Sequence, residues 1–494
     1  MKDHLLPAGY EFQKALDDYE RLQSGKELFD RGALNALAEC ADNNTRHELL
    51  ERFRGYVLPN YDDPQSLYPE IKDQLVAAVI AARTTKLRPI NTPFGAFPGV
   101  TVEQIVDVAA DIFSFLRYGN IELTFDALCE LFPGAQSNEE RKRLLGLAHG
   151  LARHDLDIWK QAGPYVQTVL VQNIRKLDLA NVQPIRPILF EVLDEALKTK
   201  VQGTSSTYKS ITLHRGATVA SDALARMRTE AIALLMELYK TARDDTEKRH
   251  TELAFFEATR IPNGRHSDDL LVLVLENSAT IIDFFTGLAA NESCEMLQTI
   301  EHKLLWMYRR NQGIGRLPGA TEDILKARDV LNDSIARFRE VADANEGFTV
   351  YKTLVGFESA FPPAWDDPNF DLHGEDAYRN QRLDELVSDV DETNAEEWLA
   401  ILKRCAQTRS DDLGTFPSFG KFLQKLSVAK PTIMLGFIDR LDDRLTGFLG
   451  VILSGLAQSD RRADVEAKLE QWLSKEPGDG ALHAICADFR AAAA

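Results

Sequence analysis

The sequence predicts an all-α protein, an α-solenoid of stacked amphipathic helices with an irregular helical domain at the N-terminal end. Three observations predict it. Apolar residues recur at i, i+3, i+4 and i+7 along most of the 494 residues. Capping pairs and Gly or Pro breakers interrupt that period at short intervals. Alternation with period 2 is confined to a few brief segments.

Taken in order, Thr45 with Glu48 opens the first clear helix, HELLERF. Residues 84–100, TTKLRPINTPFGAFPGV, form a loop with three prolines and two glycines. Pro98–Gly99 then breaks the chain, and Thr101 with Gln104 makes a capping box. Val102, Ile105, Val106, Ala109, Ile112, Phe113 and Leu116 follow as one helix face. Ser137 with Glu140 opens ERKRLLGLAHGLA, and TVLVQNI at Thr168–Ile174 is read as helix from its neighbours. TYKSITLH at Thr207–His214 reads as a strand or an extended loop. Ser221 caps a stripe of Leu224, Met227, Ala231, Leu234, Leu235 and Leu238, and Ser267 precedes a long helix through Phe284 and Phe285. About twenty helices of roughly 12–20 residues result.

Four breaks suggest the domain organisation: 84–100, a Ser/Thr/Gly-rich stretch at 201–218, the glycine-rich turn NQGIGRLPGA at 311–320, and an acidic, proline-bearing stretch at 361–393. The predicted division is a helical domain over 1–200, a linker at 201–218, a central helical region at 219–360, an acidic linker at 361–393 and helical repeats at 394–494. In that last region Pro431–Leu441 pairs with Leu445–Ala457, and Ala463–Leu473 with Ala481–Phe489. Equivalent helices begin about 30–35 residues apart, the spacing of HEAT- or TPR-like arrays. Gly447, Gly450 and Gly455 each weaken the second helix, and close helix–helix packing is the expected compensation.

A hydrophobic content of 44% supplies ample core, and 27% charged residues is ordinary. The formal charge of -19 repels phosphate backbones and anionic membranes, so nucleic acid and membrane are disfavoured and a protein partner is expected. Cys40, Cys129, Cys294, Cys405 and Cys486 are odd in number and scattered, as free thiols in a reducing cytoplasm would be. The start, MKDHLLPAGYEF, lacks the charged and apolar regions of a signal peptide. The apolar run Leu270–Ala290 contains Glu276, Asn277 and Asp283, which suits a buried helix better than a membrane span.

VYKTLVGFESAFPPAW at 350–365 and FPSFGKFLQKLSVAKPTIMLGFI at 416–438 resemble the HEAT-like helical-repeat portions of large bacterial multidomain proteins. In those proteins an effector or NTPase module often precedes the repeat scaffold, and some take part in anti-phage (antiviral) defence. The resemblance covers about the last third of the chain. It implies a protein-binding scaffold, or a sensor and regulatory subunit, whose effector is a separate partner or another part of a longer protein.

No catalytic residue, cofactor site or metal site is assigned from the sequence. Walker A, GxSxG and HExxH motifs do not occur, and GIGRLPG at 313–319 lacks the spacing of a dinucleotide loop. His154–Asp155 resembles part of the pattern of HD-type phosphohydrolases, in which His and Asp bind a divalent metal. His149 lies about 140° around a helix from His154, so the pair is read instead as a cationic helix end and an N-cap. Asn332, Asp333 and Glu340 outline a terpene-synthase helix, but Ala336 replaces its Ser or Thr and DDLLV at 268–272 lacks the second acid. Asp389, Asp391 and Thr393 imitate a calcium loop, with Asn394 and Ala400 in place of its Gly and Glu. His483 and Cys486 share a helix face and are read as structural.

Two basic spots are candidates for an anion or partner. KSITLHRG at 209–216, read as a connector, offers Lys209, His214 and Arg215 beside hydroxyls. WMYRRNQGIGR at 306–316 offers Arg309 and Arg310 beside Trp306 and Tyr308, with the aromatics expected in the core. The expected function is a protein-binding helical scaffold. The alternative is an all-α enzyme with dispersed acids, an HD-type or α/α-toroid hydrolase.

Overall fold

The computed structural model describes residues 37–58, 68–92, 95–207, 210–262, 264–314, 320–355, 372–409 and 416–475. Among these residues the protein is all-α, with 21 α-helices and two small antiparallel hairpins. It forms two compact units, 1–281 with 321–327, and 282–320 with 328–494.

The first unit begins with α1 (Asn43–Arg52), α2 (Tyr68–Thr84), α3 (Val102–Leu116), α4 (Ile121–Leu131) and α5 (Asn138–Ala152). Then come α6 (Leu156–Ala162), α7 (Tyr165–Arg175), α8 (Arg186–Leu197), α9 (Asp222–Lys240) and α10 (Asp245–Ala258). They pack as two rows. One row runs α1, α3, α5, α8, α10 and the other α2, α4, α7, α9, with neighbours touching along each row. Each amphipathic stripe is therefore covered by its row neighbours and by the opposite row. On α3 the predicted face is the buried one, from Ile105 to Leu116. Gln104 Oε1 accepts the Thr101 N–H at 3.0 Å, closing the predicted capping box. Ser137 and Ser221 cap α5 and α9 as expected. The first cap differs: Asp42, not Thr45, takes the N-cap position and accepts the Thr45 N–H at 2.9 Å. Asp is as good a cap as Thr, and choosing it adds a turn to the helix.

Two predicted loops are ordered strands. Within 84–100, β1 (Ile90–Thr92) pairs with β2 (Gly95–Phe97). The segment expected to be a linker at 201–218 is a hairpin, β3 (Lys200–Thr207) paired residue for residue with β4 (Ser210–Ala217). Ser and Thr suggested a loop, but β-branched Thr, Val and Ile also suit a pleated strand.

Helix α11 (Asp268–Leu288) begins in the first unit and ends in the second; Ser267 Oγ accepts the Leu270 N–H at 3.3 Å. Among the described residues, Asp268–Asn291 is the one helical segment long and apolar enough to cross a membrane, and 56% of its most apolar 18-residue stretch is buried within the protein. Burial of that extent is the behaviour of a core helix.

The second unit continues through α12 (Cys294–Ile314), most of α13 (Glu322–Asp343), α14 (Glu346–Val355), α15 (Leu372–Asp389) and α16 (Ala395–Ala406). It closes with α17 (Pro417–Ala429), α18 (Pro431–Ile438), α19 (Asp443–Thr446), α20 (Leu449–Ala457) and α21 (Arg462–Lys475). Much of the expected acidic linker 361–393 is thus helix: Leu383, Leu386 and Val387 bury one face of α15, while Asp376, Asp384 and Asp389 are exposed. The segment expected as one helix over Leu445–Ala457 is broken between α19 and α20, and the pair's second repeat, Ala481–Phe489, lies outside the described residues. Helix α17 is the hub, touching α14, α15, α18 and α20. A Cβ on Gly455 would lie 2.5 Å from the Gln424 carbonyl oxygen and 2.6 Å from Ser427 Cβ, so this glycine permits the close α17–α20 approach. Gly450 faces open space and has no such role.

Candidate functional site

The candidate site lies in the first unit, where three helix ends and the base of a hairpin meet. Strand geometry divides the hairpin into two faces. On one, Val201 is buried and Gly203 lies against Leu156 of α6; a Cβ there would come within 2.7 Å of Leu156 Cβ. The base is fixed further by the Gln202 N–H, which donates to the His154 carbonyl at 3.0 Å, and by the Thr218 N–H, which donates to the Thr199 carbonyl at 2.9 Å. The opposite face carries Gln202 and Arg215, which are cross-strand partners, and lines a cavity of about 450 Å³.

The other walls of the cavity are the C-terminal ends of α5, α8 and α10. They contribute His149, then Glu195 with Lys198, then Glu257 with Arg260 and Pro262, and Lys200 comes from the start of β3. Glu191 and Glu195 stand at i, i+4 on α8 and so share a face, directed at His149 of the neighbouring α5. His149 Nδ1 is 2.9 Å from Glu191 Oε1 and 3.0 Å from Glu195 Oε1. Glu195 is 2% exposed, and it also accepts from Lys198 Nζ, which lies 3.0 Å from Asp194 Oδ2 as well. Burial pushes the Glu195 and Glu257 carboxyls upward. Burial alone would lower Lys198, but its hydrogen bonds to Glu195 and Asp194 prevail and raise it to about 12. Lys198 is therefore a fixed cation, and with Lys200, Arg215 and Arg260 it gives the cavity a basic rim around an acidic floor. Such a rim attracts anions.

Arg228 holds two of these walls together. It is fully buried on α9 and no carboxylate pairs with it among the described residues. One guanidinium nitrogen donates to the Leu197 carbonyl at the end of α8, another to the Ala258 carbonyl at the end of α10 at 2.6 Å, and Nε to Asn277 Oδ1 at 2.8 Å. Helix C-termini carry partial negative charge, so the two carbonyls replace a counter-ion. Burial still lowers its pKa to about 10.

His154 and Asp155 are near this site without belonging to it. Asp155 caps α6 as predicted, accepting the Asp157 N–H at 3.0 Å. His154 departs from the sequence reading. It is 2% exposed, its Nε2 is 3.1 Å from the Ala196 carbonyl, and Trp159 meets it edge-on at 5.0 Å. Burial lowers its pKa to about 4, so it is a neutral core residue and not a cationic helix end.

Of the basic candidates, Arg215 lines the cavity, while His214 lies on the other hairpin face with Nε2 2.8 Å from Ser205 Oγ. Lys209 lies outside the described residues. Arg309 is in the second unit, its guanidinium 5.4 Å from the Trp306 ring centre, and Arg310 is beside it on α12. Trp306, expected in the core, is 54% exposed, because its helix turns that residue outward. Asn332 bonds to Asn311 at 3.2 Å while Asp333 and Glu340 are exposed, and Asp391 accepts the Thr393 N–H at 2.7 Å in a local turn. Cys294 and Cys405 are buried free thiols, Cys40 and Cys129 partly buried ones, and Cys486 and His483 lie outside the described residues.

The sequence reading missed Glu191, Glu195 and Glu257. The Glu-x-x-x-Glu spacing was visible, but such pairs are common on solvated helices, and only tertiary contact joins this one to His149.

The chain matches no family model and no curated protein. Two solved structures align over most of its length. One, from work on a phosphorylation switch controlling the interaction between cadherin and β-catenin, is 11% identical, with 98% of this chain and 95% of that one covered and a TM-score of 0.25. The other, an engineered protein, is 11% identical, with 93% and 98% covered and a TM-score of 0.24. At these scores the two likenesses carry no argument about fold or function.

Proposed function

We propose that this chain is a protein-binding helical scaffold whose helices form HEAT-like repeats, acting as a regulatory or sensor subunit in a bacterial multi-protein system of the anti-phage defence type. The observation that carries the reading is the β3–β4 hairpin. It stands among helices, packed against α6 at its base, with Leu213 65% exposed two residues from Arg215 on one face. A partner strand added along β4 would gain main-chain hydrogen bonds, bury Leu213 and place an acidic side chain against the basic rim. The repeats were expected over 394–494; in the first unit the two-row packing, in which each helix covers the next, adds support for a stacked-helix scaffold.

The test is copurification from the native host. A partner should accompany the wild-type protein and be lost with Leu213→Asp and with Arg215→Glu, while circular dichroism and melting temperature stay unchanged. Retention of the partner by both variants would refute the hairpin as the docking element. A second reading, a hydrolase, is favoured by one observation: His149, Glu195 and Glu257 line one cavity. Turnover of phosphoester or glycoside substrates that disappears with Glu257→Gln would support it.

A further inference from the structure

We propose that His149, Glu191 and Glu195 form a binding site for one divalent transition-metal ion, with its remaining coordination positions open to the cavity. The inference is independent of the partner-binding reading and rests on three features of the cluster.

The first is spacing. Ligand atoms about 2.1 Å from a tetrahedral metal stand about 3.4 Å apart. The imidazole nitrogen lies 2.9 and 3.0 Å from the two carboxylate oxygens, and all three atoms fall within 4.8 Å of one another. The second is rigidity. The ligands come from two packed helices, α5 and α8, and the two glutamates share one face of a single helix. Only small side-chain movements are then needed to close on an ion. The third is charge. Glu191 and Glu195 bring two carboxylates to one imidazole nitrogen, which can donate a hydrogen to one of them at a time. A divalent cation satisfies both.

Lys198 is the competing cation on Glu195, and it has an alternative. Asp194 Oδ2 is already 3.0 Å from its Nζ, so a metal can displace Lys198 from Glu195 without leaving the ammonium unpaired. An imidazole donor favours Zn²⁺, for which Co²⁺ is the spectroscopic substitute, over Mg²⁺ and Ca²⁺. One nitrogen and two oxygens leave at least one position for water or an anion on the cavity side.

The experiment is titration of the metal-stripped full chain with Zn²⁺ by calorimetry, and with Co²⁺ by visible absorption. Wild type should take up one equivalent of Zn²⁺, show Co²⁺ d–d bands and bind Mg²⁺ at least tenfold more weakly. His149→Ala and the conservative Glu191→Gln should each weaken Zn²⁺ binding at least tenfold. His47→Ala, which alters a half-buried i, i+4 pair with Glu51 far from the cluster in sequence, should leave it unchanged. Lys198→Met should tighten binding, because the competing cation is gone; a merely structural network would lose stability with no gain in affinity. Zn²⁺ affinity unchanged in both His149→Ala and Glu191→Gln, or no stoichiometric uptake by the folded wild type, would overturn the assignment.

Discussion

Acid should loosen the first unit through His154. The folded protein holds this imidazole neutral to about pH 4, whereas the unfolded chain protonates it near 6.5. A group whose folded pKa is depressed in this way costs nothing at pH 7, where both states are neutral. As pH falls through 6.5 the unfolded state gains a proton that the folded state refuses, and stability is lost until about pH 4. At about 1.36 kcal/mol per pH unit, the interval from 6.5 to about 4 corresponds to about 3 kcal/mol, with about 2 kcal/mol already lost at pH 5. No discount for solvent applies, because the ring is fully buried. His154→Leu removes the titration and keeps the volume, at the cost of the contact to the Ala196 carbonyl. Urea unfolding, followed through the fluorescence of Trp159 against the ring, should then show wild type losing about 3 kcal/mol more than the variant between pH 7 and pH 4. Parallel pH profiles for the two proteins would refute the assignment of a neutral, desolvated His154.

Replacing Arg228 by Met should destabilise the first unit by about 3–5 kcal/mol, since three buried acceptors lose a charged donor; a melting temperature within a degree of wild type would contradict this. The lysine variant should recover less than half the loss, because one ammonium cannot reach three acceptors spread around a planar fork. In the second unit, Gly450→Ala should stabilise by about 0.5–1 kcal/mol through helix propensity alone. Gly455→Ala should destabilise by about 1–2 kcal/mol, because overpacking against the Gln424 carbonyl and Ser427 outweighs the same propensity gain. Thermal scans showing the same sign for both glycines would remove the close-packing explanation.

The all-α class, the buried stripes of α3 and α9, and the caps at Thr101, Ser137, Ser221 and Asp155 are determined by the sequence itself. Each depends on residues three or four apart, so local order is enough to reveal it. The hairpin was only half legible: TYKSITLH suggested extended chain, but its pairing with Lys200–Thr207 depends on a register that composition does not carry. Tertiary structure alone decided the rest. His149 and Glu195 are 46 positions apart and meet only because α5 packs on α8; Arg228 finds its carbonyls 30 and 31 positions away because α8 and α10 both end at α9. A period of 3.6 residues fixes which side of a helix is covered. It does not fix which helix covers it, and the chemistry of this protein lies in that second choice.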